Sequence, residues 1–230
     1  MSCPGRCAGG GSRVTEWCGP LVAKPHGLEE FKVRDPLKRL AYAPFRAWVR
    51  AGCRASDRVV ATDHAMRAEV ARLLAIPDNK IVVLPNGVDA ASLRALVSPR
   101  VQADLRARFP ILNAEYDYTL GISVGRLEAN KGFDHLIRAL AGLHPEGLPW
   151  RWVFVGEGSL KEKLVVLAGQ LGIADRVLFT GSLSDPVLHS LYAMCDLFAH
   201  PTFDEGSSLV TLAAMAHGLA VLASAVGGRH

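Results

Sequence analysis

Residues 118–124 read Tyr-Thr-Leu-Gly-Ile-Ser-Val, and residues 125–132 continue with Gly-Arg-Leu-Glu-Ala-Asn-Lys-Gly. The first stretch is a short, mainly apolar run without a strictly alternating polar face, which is typical of a strand buried on both sides of a sheet. The second stretch is bracketed by glycines and leads into a helical pattern over residues 133–143. A strand, a glycine-bounded turn and a helix in this order predict one unit of a parallel α/β sheet.

The same alternation of apolar runs and amphipathic stretches extends along the chain from residue 21 onward. Because strand–helix crossovers of this length connect parallel strands, the pattern predicts a doubly wound α/β fold with Rossmann-like parallel sheets. The predicted strands cover residues 21–24, 58–61, 80–84, 118–124, 151–155, 176–179, 197–199 and 220–223, and the predicted helices cover residues 36–55, 63–74, 133–143, 158–171, 185–194 and 206–217.

Residues 97–112, with three arginines and two prolines, separate two series of these elements. We expect this segment to connect two domains, with the boundary near residue 110. Residues 1–19 are rich in Gly, Cys and Arg without a helical or strand period, so we expect them to be disordered. The predicted organisation is therefore a disordered segment (1–19), a first, partial domain with its linker (20–109) and a second domain (110–230).

The charges are unevenly distributed along the 230 residues. Residues 1–109 contain 18 basic and 10 acidic side chains, whereas residues 110–230 contain 8 and 12. The first part either meets an anionic surface or has a basic face that only keeps it in solution. The five cysteines include no CxxC pair, and no run approaches the ~20 apolar residues of a membrane span. We therefore expect a reduced, cytoplasmic protein, soluble or peripheral to a membrane, with no metal site and no nucleic-acid partner.

The loop of residues 125–132 contains two cations, Arg126 and Lys131, that suit a diphosphate. An arginine can bind phosphate oxygens with two parallel hydrogen bonds, a lysine adds a point charge, and the following helix N-terminus favours an anion. By itself the loop is equally compatible with an ordinary surface arginine and lysine.

The next strand ends in Gly156-Glu157-Gly158-Ser159-Leu160, which begins like a dinucleotide-binding fingerprint. No third glycine follows, and the strand after it ends in Thr180-Gly181 instead of an acid that would hold a ribose. We therefore reject a nicotinamide-binding role and interpret this loop, taken alone, as a tight strand-to-helix turn.

The segment that leads into the predicted helix 206–217 contains Glu205 just before the helix begins. Its carboxylate could accept hydrogen bonds from sugar hydroxyls, while free backbone N–H groups of residues 206–209 would face a phosphate. The alternative is an acidic helix cap, Asp204 or Glu205, with no ligand.

Four separated motifs occur in a fixed order: Gly125-Arg126-x4-Lys131-Gly132, Val155-Gly156-x-Gly158, Phe179-x-Gly181 and Glu205-Gly206-x2-Leu209-Val210-x-Leu212-x-Ala214-Met215-Ala216-x-Gly218. In this order and spacing they resemble the donor domain of retaining GT-B glycosyltransferases of family 4. Leu84-Pro85-Asn86-Gly87-Val88-Asp89 resembles the end of that family's acceptor domain, and His26-Gly27 resembles its sugar-facing His-Gly element. The resemblance spans about residues 20–228.

The resemblance implies a glycosyltransferase that moves a sugar from a nucleoside-diphosphate sugar to a hydroxyl of a sugar, lipid-linked or small-molecule acceptor, retaining configuration. Arg126 and Lys131 would hold the diphosphate, Glu205 would touch the transferred sugar, and His26 would lie near that sugar. No cofactor or metal is implied, because protein cations take the electrostatic role. The implied donor-binding residues are Gly125, Gly156, Phe179, Gly181, Gly206, Ser207, Ser208, Leu209 and Val210.

The sequence departs from the family pattern in three places. Ala213 stands where the family usually has a second glutamate that binds the ribose, and Ser207-Ser208 replaces a common Phe-Gly. The strands that normally precede His26, and the elements that normally follow residue 228, are expected to be missing through truncation. These departures favour one alternative, a degenerate, non-catalytic nucleotide-sugar binder. A nucleotide-sugar epimerase of similar architecture is a further alternative.

Residues 36–54 form a basic amphipathic pattern with Arg39, Arg46, Arg50 and Arg54 on one side. Leu37, Ala41, Phe45 and Trp48 lie on the other side. Such a helix can dock on anionic lipid, which would make the protein peripheral to a membrane. The alternative is a helix that packs on its own sheet with its arginines in water, and Pro44 is expected to interrupt it.

Overall fold

The structure, a computed structural model, describes residues 19–25, 28–33, 35–113, 118–143, 147–203 and 208–226. Two compact units divide the chain, the first ending at Leu84 and the second beginning at Pro85. Within the described residues, no helix has both the length and the apolar composition required to cross a bilayer.

The first unit contains a three-stranded parallel sheet in the order β1-β2-β3. Val59, Ala61 and Ile81 from this sheet share a core with Val70 and Leu74 of the helix that joins β2 to β3. The strands are β1 (Val22–Ala23), β2 (Arg58–Ala61) and β3 (Ile81–Val83), and the helices are α1 (Glu29–Lys32), α2 (Pro36–Ala41), α3 (Ala43–Ala55) and α4 (His64–Leu74).

The helix predicted over residues 36–55 is two helices, α2 and α3, separated at Tyr42. Pro44, in the first turn of α3, accounts for the break because proline is tolerated there and not in a helix interior. The predicted division into a basic and an apolar face is only partly correct. Arg50 packs against its own unit: its Nε donates to the Leu73 carbonyl at 2.9 Å, and its guanidinium lies 5.1 Å from the Phe31 ring centre.

The second unit contains a five-stranded, fully parallel sheet in the order β6-β5-β4-β7-β8. All eight strands of the two units lie within two residues of their predicted positions. The strands are β4 (Thr119–Val124), β5 (Trp150–Val155), β6 (Val177–Gly181), β7 (Leu197–His200) and β8 (Ala220–Ala223), and the helices are α5 (Ala90–Ala95), α6 (Pro99–Arg108), α7 (Phe133–Gly142), α8 (Lys161–Gln170), α9 (Asp185–Tyr192) and α10 (Leu209–Ala216).

Helices cover both faces of this sheet, which explains why its strands lack a polar face. Leu120 and Val153 pack into one core layer, whereas the neighbouring Trp152 and Phe154 pack into the other. Gly121 makes room for the Trp152 ring, since a Cβ there would lie 2.2 Å from it. The sheet is therefore buried on both sides, as the apolar runs predict.

The boundary between the units differs from the predicted position near residue 110. Most of the predicted linker 97–112 is helix α6, which packs on α9 in the second unit. Ser98 caps α6, Pro99 begins it, and Leu105 is buried in the core of the second unit. Pro99, which suggested a linker, thus starts a helix, and Arg100 and Arg108 lie on its exposed side.

Candidate functional site

Three loops of the second unit begin at the carboxyl edge of the sheet, where parallel sheets bind ligands. The first loop, residues 125–132, follows β4, the second, residues 156–160, follows β5, and the third, described over residues 201–203, follows β7. β4 pairs with β5 on one side and with β7 on the other, so the strand order reverses next to β4. Parallel sheets bind ligands in a crevice at such a reversal, and the first and third loops begin there.

Backbone hydrogen bonds lock the first loop to the second. The Leu127 N–H donates to the Glu157 carbonyl at 2.9 Å, and the Leu127 carbonyl accepts from the Leu160 N–H at 2.9 Å. Leu127 itself is fully buried. Arg126, directly before it in the chain, is exposed.

Two glycines of the second loop permit this close contact. Gly156 has a φ of +137°, and a Cβ there would lie 2.0 Å from the Gly125 carbonyl oxygen. A Cβ at Gly158 would lie 2.4 Å from the Leu127 carbonyl oxygen. Both glycines therefore serve the packing of one backbone on another, in agreement with the interpretation of this loop as a tight turn.

The first loop is also joined to the third. The Asn130 carbonyl accepts from the Phe203 N–H at 2.9 Å and from the Thr202 hydroxyl at 3.0 Å. Gly132 has a φ of +65°, and the Pro201 carbonyl lies against it. A Cβ on Gly132 would be only 2.2 Å from the Pro201 carbonyl oxygen. Lys131, between these two contacts, is half-buried, and the backbone on either side of it lies against the third loop.

An acidic residue lies between the two cations. The Glu128 carboxylate accepts from the Ser159 N–H at 3.0 Å and from the Ser159 hydroxyl at 2.7 Å. These two hydrogen bonds, together with the charge of Arg126, hold the pKa of Glu128 below its usual range. The sequence gives no signal for this pair, because its members lie 31 residues apart.

The helix after the third loop begins later than predicted. α10 starts at Leu209, and Ser208 is its N-cap, with the Ser208 hydroxyl accepting from the Thr211 N–H. The residues predicted to open this helix, 206 and 207, are outside the described residues, as are Glu205 and the His26 of the first unit. Leu209 is exposed and Val210 is half-buried at the start of α10.

The predicted base-binding residues lie at the end of β6. The half-buried Phe179 ring stacks on Phe154 with centres 5.0 Å apart. Gly181 has a φ of +77°, and the space where its Cβ would be is taken by a carboxylate oxygen of Glu157, which pairs with Lys161 at 2.8 Å.

Two family models match the chain. The model of the group 1 glycosyl transferases matches residues 106–230, more than half of the chain, and that of glycosyltransferase family 4 matches residues 6–92. The chain belongs to the group 1, family 4 glycosyltransferases.

Two relatives illustrate the range of this glycosyltransferase family. A D-inositol 3-phosphate glycosyltransferase of Xylanimonas cellulosilytica is 34% identical over 76% of this chain and 42% of its own length. A GDP-mannose-dependent alpha-(1-6)-phosphatidylinositol monomannoside mannosyltransferase of Mycobacterium tuberculosis is 34% identical over 66% of this chain and 40% of its own length. The chain thus spans less than half the length of these relatives.

Solved structures support the GT-B type of α/β fold for this glycosyltransferase. WaaG, a glycosyltransferase involved in lipopolysaccharide biosynthesis, superimposes with a TM-score of 0.69 at 25% identity, covering 92% of this chain and 58% of WaaG. Anabaena Alr3699/HepE in complex with UDP gives a TM-score of 0.70 at 24% identity, covering 91% and 54%.

The structure shows the surroundings of Ala213, one of the departures from the family pattern. Ala213, in place of the second glutamate, is 8% exposed and packs in the apolar core with Leu191 and Phe198. A methyl group fills this position without the polar partner that a buried carboxylate requires.

Proposed function

We propose that the protein transfers a sugar from a nucleoside-diphosphate sugar to a hydroxyl acceptor with retention of configuration. The observation that carries the proposal is the first loop, which contains Arg126 and Lys131, follows β4 beside the reversal in strand order, and is bonded through its backbone to the loops after β5 and β7. The name of the mycobacterial relative, a GDP-mannose-dependent enzyme, supports a donor of this class.

In this proposal, the Arg126 guanidinium binds the donor diphosphate through paired hydrogen bonds, and the Lys131 ammonium adds a second positive charge. As the bond from the sugar to the phosphate breaks, negative charge grows on the leaving diphosphate. Both cations stabilise that charge more strongly than they stabilise the intact donor, which lowers the barrier. A donor phosphate oxygen would take the proton of the acceptor hydroxyl on the face from which the diphosphate leaves, so configuration is retained.

The remaining predicted residues complete the proposed site. Glu205 would accept hydrogen bonds from the sugar, His26 would lie near it, and Phe179 with Gly181 would line the base. The proposal needs no metal ion, since two protein cations neutralise the diphosphate. Donor binding is therefore expected to be the same with and without a chelator such as EDTA.

We also propose a lipid-linked acceptor and peripheral contact with a membrane. The name of the mycobacterial relative, which acts on a phosphatidylinositol monomannoside, supports an acceptor of this kind. On α2, α3 and the residue between them, five large apolar side chains are exposed, and we call this set the α2–α3 apolar surface: Leu37, Leu40, Tyr42, Phe45 and Trp48. Residues 36–56 contain basic but no acidic side chains, which suits anionic lipid.

Calorimetric titration with UDP, GDP and ADP tests the donor site. We expect one of the three to bind wild type, and Arg126→Ala to weaken that binding roughly a hundredfold, as for a charge-assisted contact to phosphate. Arg138→Ala, an exposed cation of α7, provides a matched control and should bind as wild type does. Equal affinity of wild type and Arg126→Ala for every nucleotide would contradict the proposal.

The second candidate is a nucleotide-sugar binder without activity, which the buried Ala213 favours. Release of free nucleoside diphosphate from a bound sugar donor separates the two candidates. Turnover with an added acceptor supports the transferase, whereas tight binding without turnover supports the binder.

A further inference from the structure

Glu128 connects the two cations of the first loop through its backbone. Its N–H donates to the Arg126 carbonyl at 2.8 Å, and its carbonyl accepts from the Lys131 N–H at 3.0 Å. The peptide groups on either side of Glu128 therefore set the directions in which the side chains of Arg126 and Lys131 project from the loop. A rotation at Glu128 would move both of them together.

The side chain of Glu128 is fixed from outside the loop. Both carboxylate oxygens accept from Ser159, one from its N–H and one from its hydroxyl. Ser159 lies just before α8, whose N-cap residue Leu160 makes no side-chain cap. The carboxylate thus lies at the N-terminal end of α8, where the helix dipole stabilises a negative charge.

More hydrogen-bonding groups of Glu128 are engaged than in an ordinary surface contact. Glu128 is half-buried, both of its carboxylate oxygens are occupied, and both of its backbone groups bond within the loop. The neighbouring Glu157 carboxylate instead pairs with Lys161, four residues further along its own segment.

We propose that Glu128, held by Ser159, is a positioning residue that aligns Arg126 and Lys131 for the donor diphosphate. The inference rests on the proposed function. It concerns how the loop is aligned and adds no contact between Glu128 and the donor. Because the alignment of charged groups on phosphate is sensitive to small displacements, releasing Glu128 weakens the diphosphate contact and leaves the contact to the nucleoside intact.

The experiment compares the affinities for a nucleoside diphosphate and for its parent nucleoside. The probe is whichever of UDP, GDP or ADP binds wild type most tightly. Glu128→Ala and Ser159→Ala should each weaken the diphosphate, by roughly tenfold and threefold respectively, and leave the nucleoside unchanged. Glu162→Ala, which removes an exposed carboxylate from the first turn of α8, is the matched control and should bind both ligands as wild type does.

Wild-type affinity of Glu128→Ala for the diphosphate would overturn the positioning role, and the donor site would stand if Arg126→Ala still lost binding. Equal weakening of nucleoside and diphosphate would also overturn it, because that result indicates a general structural defect. Unchanged binding in Arg126→Ala would contradict the proposed function itself. Should Glu128→Ala fail to fold, Ser159→Ala decides the question, since it removes one hydroxyl and keeps the backbone donor.

Discussion

Gly156 accepts no side chain, because its backbone both adopts a φ of +137° and presses against the Gly125 carbonyl. We expect Gly156→Ala to lower the free energy of unfolding by about 2–4 kcal/mol, through strain in the loop and a clash of backbone with Cβ. Urea denaturation measures the change. Gly169→Ala is the control: Gly169 lies in α8 with open space around it, so alanine should raise the free energy of unfolding by up to about 1 kcal/mol. Equal effects of the two substitutions would contradict the packing argument.

A pair of histidines makes the second unit sensitive to acid. His189 Nδ1 and His217 Nε2 lie 2.8 Å apart, and one ring must be neutral to accept the hydrogen bond. Burial lowers the pKa of both rings below the ordinary 6.5. The charges of His189 and Arg94 lower the pKa of His217 further. The charge of Asp185 acts in the opposite direction and raises the pKa of His189.

The unfolded chain therefore binds protons that the folded pair excludes. We expect the pair's contribution to the free energy of unfolding to be fully present above pH 6.5 and to be lost as the pH falls below that value. The melting temperature measured from about pH 8 to pH 5 should fall less for His217→Gln than for wild type. His64→Gln, at an exposed position of α4, should follow the wild-type curve. Parallel curves for wild type and His217→Gln would show that the pair does not cause the effect.

At the scale of elements, α2 and α3 expose apolar side chains that a helix of a water-facing domain usually buries. Leu37 is 78% exposed and Trp48 is 73% exposed. Burial of such side chains in the lipid interface contributes about 1.5–3 kcal/mol each. We expect the chain to sediment with phosphatidylcholine vesicles that contain phosphatidylglycerol, and the double variant Leu37→Ser, Trp48→Ser to bind at least roughly a hundredfold less.

Val166→Ser, at an exposed apolar position of α8 in the second unit, is the control and should bind vesicles as wild type does. Equal binding to vesicles with and without phosphatidylglycerol would contradict the role of the basic side chains. Equal binding by the double variant would contradict the role of the α2–α3 apolar surface.

Strands were predictable from the sequence and some helices were not, for a physical reason. A strand such as β5 is buried on both faces, so the continuous apolar run of residues 152–155 marks most of it. α6 has only a narrow buried side around Leu105, and its arginines and Pro99 suggested a linker. The sequence singles out the first loop because glycines bracket its two cations, whereas the Glu128–Ser159 contact depends on tertiary structure alone.

At the scale of the whole molecule, the division after Leu84 assigns α5 and α6 to the second unit. Arg94 of α5 donates to the Ala216 carbonyl at the end of α10, and the Ser98 N–H donates to the Ser190 hydroxyl of α9. We expect a polypeptide of residues 85–230 to be more soluble and to melt at a higher temperature than one of residues 110–230, which lacks both helices. Equal melting temperatures would instead support a boundary near residue 110.

The connection of the first loop to two other loops has a consequence for how the protein folds. β4 pairs with β7, and the Ser123 hydroxyl bonds the Ala199 carbonyl, 76 residues further along the chain. During synthesis the segment with Arg126 leaves the ribosome well before its β7 partner exists, so it cannot take its final form as it emerges. Affinity for an anion would arise only when the nascent second unit has closed around β4, and a ligand at that position would shift the folding equilibrium of the entire unit.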